Sequence, residues 1–560
     1  MRIPVAILLC LSALALPTSS TFAANAPAPE VLSDAAVQAA SAATAAAKTD
    51  APATVVFTPT TELPGVTVDK LAPIPPGPFQ PTWDSIRANY KTPAWFTEGK
   101  FGIFMHWGLY AVPAHASEWY VKYMYGGNAG ITQWQIQTFG PLDKFGYKDF
   151  IPMFTVAKWD PDAWAALFKK AGAKYVIPTA EHHDGFSLWD SRYNRFNTKL
   201  LGPHRDLIGE LAAAVRKAGL KFGVSNHSIE HYNFIPLYPN SDQLDPAWRD
   251  FYHSYNQDQA DRQHFNELWV AKNYELIDKY QPDLLWFDNG INGRGYDDMK
   301  LRVAAYYYNS ALKWGKQVSF TTKSNAYLAG SIMDYERQGR ILPRELKSYA
   351  WQVDDPIGNK FGYMDALEYK PAALLIRRLI DCVAMNGNYL LNISPKADGT
   401  IPQAQQDRLL EIGKWLDLNG EAIYGTQAWT RYGEGPYYDA PPAPRGGADD
   451  PPSEAFSAKE IRFTTKGDTL YAIVTDWPGE QAVITSLAVG SKDLLAGKIE
   501  KVELLGHPGA LAFTQDAEGL KVKFPAEKPC DYAFALKITG LKLSGAAATV
   551  ADNTPGLIPQ

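Results

Sequence analysis

Past residue 100 the chain alternates between short apolar runs and longer stretches whose apolar residues recur at helical spacing. Short runs bounded by polar residues predict strands, and the longer spacing predicts amphipathic helices. Strands are expected over 101–106 (FGIFMH), 174–179 (KYVIPT), 221–226 (KFGVSN), 283–288 (DLLWFD), 317–322 (QVSFTT) and 388–394 (NYLLNIS), with a further strand-like segment leading to Glu336. Helices are expected over 159–172, 206–220, 261–280, 297–314, 370–385 and 403–418. The first of these carries its own boundaries, with Asp160 as N-cap, Pro161 at the first helical position and Gly172 as terminator. Such strand–helix repeats argue for a parallel sheet covered by helices. Because roughly 350 residues is more than a doubly wound sheet takes, a (β/α)8-type (TIM-like) barrel over 77–425 is expected.

After residue 425 the helical period disappears and alternating strands take over, among them EIRFTTKGDTLYAIVTDW, IEKVELLG, LKVKF and YAFALKI. Separated by Gly, Asp and Pro, they predict a C-terminal antiparallel β-sandwich over 426–545, with a Pro/Gly-rich loop at 436–452. Such a module either binds carbohydrate or buttresses the barrel. Residues 25–76 are rich in Ala and Pro without large apolar residues at helical spacing, which reads as a linker, and 546–560 reads as a flexible tail. Residues 1–24 combine Arg2, an apolar run too short to span a bilayer, and small residues around Ala24. They predict a cleaved leader and an exported protein, periplasmic or extracellular.

Composition narrows the function. Charged residues at 20% and apolar residues at 46% describe a globular chain, and a net charge of −6 with no Lys/Arg-rich run excludes a nucleic-acid partner. Cys10 would leave with the leader, so Cys382 and Cys530 remain, too few for a disulfide framework or a thiolate zinc site. Aromatic residues reach 13%, with 16 Trp and 30 Tyr. That abundance suits a pocket that meets rings with both apolar faces and hydroxyl edges.

Polar residues fall where a barrel needs them. His106, the cluster Glu181-His182-His183-Asp184, Asn226-His227 and Asp288 each follow an expected strand. Strand ends converge on one barrel face, where active sites lie. Adjacent histidines on a continuing strand point to opposite sides, so His182 and His183 chelate one ion poorly and no metal or other cofactor is expected. They make better sense as hydrogen-bonding partners for vicinal hydroxyls, although one of them can equally serve the barrel backbone. No G-x-S-x-G turn or phosphate-binding loop occurs. Carboxylate chemistry remains: Asp288 shares a strand face with Trp286, and Glu336 follows the next strand-like segment. Together the two carboxylates suit cleavage of a glycosidic bond; alternatively Glu336 pairs with Arg337 or Arg340 and is structural.

The stretches WFTEGKFGIFMHWG (95–108), SEWY (117–120), HHDGF (182–186), LLWFD (284–288) and the block at 386–426 together resemble the α-L-fucosidases of glycoside hydrolase family 29. The resemblance implies a retaining exo-α-L-fucosidase acting on a fucosylated oligosaccharide or glycoconjugate, and it leaves room for a homo-oligomer. Asp288 matches the nucleophile, and His106, Glu118, Trp119, His182 and His183 match positions that hold the sugar hydroxyls, with Trp286 as an apolar wall. Glu336 is the expected general acid/base, with Glu345 as its competitor. Where many relatives carry tyrosines after the third strand, this chain has Ser225-Asn226-His227, and Lys323 stands where an arginine is often seen. The alternative reading is a non-catalytic fucose-binding or glycan-binding protein on a hydrolase fold.

Overall fold

The computed structural model describes residues 68, 70–253, 259–324, 326–336, 346–439, 457–491 and 497–543. The expected leader, nearly all of the linker, the tail, Arg337, Arg340 and Glu345 lie outside the described residues.

Eight parallel strands close into a barrel in sequence order: β1 (Phe101–Met105), β2 (Tyr175–Glu181), β3 (Lys221–Asn226), β4 (Leu284–Phe287), β5 (Ser319–Thr322), β6 (Ser331–Asp334), β7 (Trp351–Pro356) and β8 (Asn388–Ile393). Helices α1 (Pro161–Lys170), α2 (Leu207–Lys217), α3 (Gln259–Tyr280), α4 (Asp297–Lys313), α5 (Ala372–Ala384) and α6 (Gln403–Asn419) follow β1, β2, β3, β4, β7 and β8. As its sequence predicts, α1 starts at Pro161, with the Asp160 carboxylate accepting a hydrogen bond from the Ala163 amide at 3.0 Å. Strand β7, WQVDDP, was not expected. Its acidic residues hide the strand period, and Asp355 is buried only because Arg378 (2.6 Å), Lys370 (3.0 Å) and Tyr389 (2.6 Å) meet it.

Strand parity separates two apolar layers. Leu285 and Phe287 of β4 face outward into the large core beneath the helices, whereas Leu284 and Trp286 point inward to a smaller cluster with Phe104, Ile177, Ile332 and Leu390. The barrel is therefore filled at mid-height, and side chains one step further along each strand form the floor of its mouth.

Beyond the barrel, β9 (Gln427–Glu434), β10 (Ile461–Lys466), β11 (Thr469–Val474), β13 (Gly497–Leu504) and β16 (Phe534–Leu541) make a five-stranded antiparallel sheet in the order β13-β16-β11-β10-β9. A three-stranded sheet of β12 (Gln481–Ile484), β15 (Gly519–Lys523) and β14 (Phe513–Asp516) accompanies it, and the two share a core of their own around Trp429, Phe463, Leu470 and Leu536. Among the described residues no helix is long and apolar enough to cross a membrane.

Candidate active site

Interior parity brings one or more polar residues to the mouth from every strand: His106 after β1, His182 and His183 after β2, Ser225 and His227 at β3, Asp288 after β4, Lys323 after β5, Glu336 beyond β6, Asp354 on β7 and Asn392 on β8. Of these, His106, His182, Asp288, Lys323, Glu336 and Asp354 line a cavity of about 430 Å³. Six of the eight expected site residues line it, namely His106, Glu118, Trp119, His182, Asp288 and Glu336.

The other two lie beneath or behind it. Trp286 shares the Asp288 face of β4, but two residues along a strand is about 6.6 Å of depth. Instead of forming a wall of the cavity it is fully buried, packed at 4.9 Å against both Phe104 and His227, and its Nε1 donates to Asp334 at 2.9 Å. His183 is buried behind Asp288. Its Nδ1 donates to the His227 carbonyl at 3.2 Å, while Nε2 lies 3.4 Å from Asp288 Oδ2 and 3.5 Å from Glu230 Oε2. Acceptors at both nitrogens favour the imidazolium. Burial lowers the His183 pKa, but contact with Asp288 and the Glu230 charge outweigh that and raise it.

Adjacent His182 and His183 do not diverge as a continuing strand would make them. The β2–β3 register shifts between Thr179 and Glu181, and the chain leaves the strand after Glu181 in a turn closed by the Gly185 amide on the His182 carbonyl at 3.2 Å. Both rings consequently lie on the same side, with centroids 4.2 Å apart, His182 lining the cavity and His183 behind it. Glu181 is turned away and pairs with Lys272 of α3 at 2.7 Å, and Asp184 accepts from the Tyr147 hydroxyl at 2.8 Å. Among the described residues, two groups have donor atoms close enough together to hold a metal ion: one nitrogen each from His106, His182 and His227, and atoms of His183, His227 and Asp288. The adjacent histidines fall in different groups.

Asp288 is the most heavily engaged group. Its Oδ2 accepts from His227 Nδ1 at 3.1 Å, and its Oδ1 meets Lys323 Nζ at 2.9 Å and the Asn289 amide at 2.8 Å. Burial pushes its pKa up, but the Lys323 charge and the contacts with His183 and His227 outweigh burial and hold the carboxyl well below the usual range. Burial brings His227 down to about 4, so its neutral ring donates through Nδ1 and takes the Ser225 hydroxyl on Nε2. His106 is fixed in one tautomer. Because Asn392 Nδ2 donates to the Phe361 carbonyl at 2.8 Å, its Oδ1 faces His106 Nδ1 at 2.8 Å, which places the ring proton on Nδ1 and leaves Nε2 as an acceptor. Glu118 accepts from the Gly362 amide at 2.9 Å. Trp119 stands edge-on to His183 with its ring beneath Lys122 Nζ at 4.6 Å.

Lys323 joins the two candidate catalytic carboxylates. Besides Asp288 it contacts Glu336 Oε2 at 2.8 Å, so the two bridged oxygens are no more than about 5.7 Å apart, close to the ~5–5.5 Å of a retaining pair and short of the ~6.5–9.5 Å of an inverting one. Burial lowers the lysine's pKa, but the Asp288 charge above all raises it, and it stays charged. Lys323, Asp354, Glu230 and Phe361 also line the cavity and were not among the expected site residues. The strand-end rule that singled out Asp288 would also have found Lys323, directly after SFTT. Asp354 was hidden with β7, and Glu230 and Phe361 sit on loops that carry no periodic signal.

A closed parallel barrel with a pocket of paired carboxylates, imidazoles and aromatic rings at the strand ends defines the class, a glycoside hydrolase. Family comparison makes it specific: the alpha-L-fucosidase profile matches residues 68–421, and the alpha-L-fucosidase C-terminal domain profile matches residues 454–539. The chain belongs to the α-L-fucosidase family. It is 32% identical over 484 residues to mouse tissue alpha-L-fucosidase, covering 83% of this chain and 95% of that protein. With the human tissue enzyme it is 31% identical over 489 residues, covering 84% and 93%. Among solved structures it is similar to Thermotoga maritima alpha-fucosidase in complex with fucose, at 32% identity and a TM-score of 0.65, covering 82% of this chain and 100% of that one.

Proposed function

We propose that the chain is an exported, retaining exo-α-L-fucosidase that removes terminal fucose from glycans through a covalent fucosyl-Asp288 intermediate. The observation that carries this reading is the bridge Asp288–Lys323–Glu336, in which an ionised carboxylate and a second carboxyl group lie at a distance that suits retention in the pocket at the barrel mouth. Asp288 attacks the anomeric carbon as Glu336 gives its proton to the departing glycosidic oxygen. Glu336 then takes a proton from water, whose oxygen displaces Asp288 and restores the starting configuration. The His106 Nε2 acceptor, the Glu118 carboxyl and His182 supply hydroxyl partners, and Phe361 supplies an apolar face. Hydroxyl bonds that strengthen as the ring flattens stabilise the transition state. Export rests on the leader read at 1–24, and the mature N-terminus of protein recovered outside the cytoplasm tests it.

The decisive assay follows a nitrophenyl α-L-fucoside with EDTA present, reading the first-formed anomer by NMR. Wild type is expected to release α-fucose first, and Asp288→Asn to lose at least about a thousandfold in kcat. β-Fucose as first product would overturn retention, and a folded wild type that binds fucose without turnover would make the chain a binding protein. Glu336→Ala is expected to lose far more activity on alkyl or sugar leaving groups than on dinitrophenolate, which needs no protonation. Equal losses would move the acid role elsewhere, with Glu345 the next candidate.

A further inference from the structure

The acids around Lys323 are not equally provided for. Asp288 is ion-paired with it at 2.9 Å, Glu336 takes its hydrogen bond at 2.8 Å, and Asp334 accepts from Trp286 Nε1 at 2.9 Å, Gln352 Nε2 at 2.6 Å and the Asp354 amide at 3.3 Å. Asp354 is left over. Its side chain is 1% exposed, both carboxyl oxygens are buried without a hydrogen-bond partner, and Lys323 Nζ is 3.9 Å away, beyond hydrogen-bond range. Buried carboxyl oxygens are costly to leave unsatisfied, and each such group in a native structure asks for an explanation. Asp354 has one within reach, because it lines the same cavity as Asp288 and Glu336.

We propose that Asp354 is a sugar-binding residue whose carboxyl group hydrogen-bonds a hydroxyl of the bound fucosyl unit from the end of β7. Burial, and after it the neighbouring Asp334, push its pKa well above the usual carboxylate range, which favours the neutral acid that can both donate and accept. A neutral partner suits a sugar hydroxyl, and it adds no further anion beside Asp288. Asp334, whose contact also raises the Asp354 pKa, is the alternative recipient of that proton, but it already accepts three bonds. The assignment rests on the fucosidase reading above and extends it to a specificity-determining residue on a strand whose sequence conceals it.

A double-mutant cycle between Asp354 and the sugar tests it. Aryl α-L-fucoside and its 2-, 3- and 4-deoxy analogues are hydrolysed by wild type, Asp354→Ala and Asp354→Asn, with fucose and deoxyfucose affinities measured by calorimetry on the same proteins. Asp354→Ala is expected to lose about tenfold to a hundredfold in kcat/KM on the parent sugar. On one deoxy analogue wild type and Ala variant should be equally poor, because the partner hydroxyl is already gone. Asp354→Asn, isosteric and able to donate and accept, should retain most activity on the parent, and it carries the same cycle should the Ala variant not fold. A loss of equal size on every sugar, or no loss on any, overturns the proposal and leaves Asp354 a structural acid. Wild type that neither cleaves nor binds fucosides would overturn the fucosidase reading and this one together, whereas active wild type without coupling overturns this one alone.

Discussion

Lys323 binds two carboxylates that have to behave differently, since Asp288 must be ionised to attack while Glu336 must deliver a proton. Its charge is the largest influence holding Asp288 below the usual carboxylate range. Replacing it with an uncharged residue removes that stabilisation of the anion, so the Asp288 pKa rises. Asp288 then protonates at a higher pH as the solution is acidified. Lys323→Gln is therefore expected to shift the acidic limb of kcat/KM upward in pH, by a unit or more in order of magnitude, read at a temperature where the variant is folded. An unmoved limb would show that the histidines alone keep Asp288 ionised. At this scale the sequence was informative for residues directly after recognisable strands, such as His106, His182 and Asp288. It was misleading about Trp286, because parity gives the face a side chain occupies and says nothing of its depth.

Strand β7 shows why one element escaped notice. Periodicity marks strands through apolar residues on at least one face, but β7 places Gln352 and Asp354 inward among polar groups and buries Asp355 outward in an ion pair. Its outward face is apolar at Trp351 and Val353 but ends in Asp355, which depends on Arg378 of α5. Arg378→Leu would remove one charged partner of Asp355 while Lys370 and Tyr389 remain, and breaking a buried pair costs about 3–5 kcal/mol, here toward the lower figure because of those two partners. Urea denaturation should report that loss, together with a higher KM if Asp354 shifts with its strand. Unchanged stability would mean that Lys370 carries the compensation. The turn after β2 was misread for a related reason: a bulge leaves no trace in an apolar run, and it turns Glu181 outward and both histidines inward.

On the scale of the whole molecule, the sandwich is tied to the barrel by specific polar contacts as well as by apolar packing. Trp415 of α6 donates to the Ala533 carbonyl at 2.8 Å, and Arg377 of α5 donates to the Thr475 carbonyl at 2.9 Å. Arg462 of β10 reaches Asp381 of α5 at 2.7 Å while holding Glu460 at 3.0 Å, and its side chain is only 5% exposed. These contacts brace α5, which packs against β8, whose Asn392 fixes the His106 tautomer. They favour the buttressing role over a separate carbohydrate-binding one. Arg462→Leu strands a buried Glu460 and a half-buried Asp381, so a loss of about 3–5 kcal/mol is expected. If the sandwich is a buttress, barrel and sandwich should still unfold in one transition at a lower Tm, with kcat and KM on a nitrophenyl fucoside unchanged at a temperature where the variant is folded. Two resolved transitions would instead make the sandwich an independent module. Unaltered aryl-fucoside kinetics combined with weaker binding to a long fucosylated glycan would assign it the carbohydrate-binding role that sequence left open.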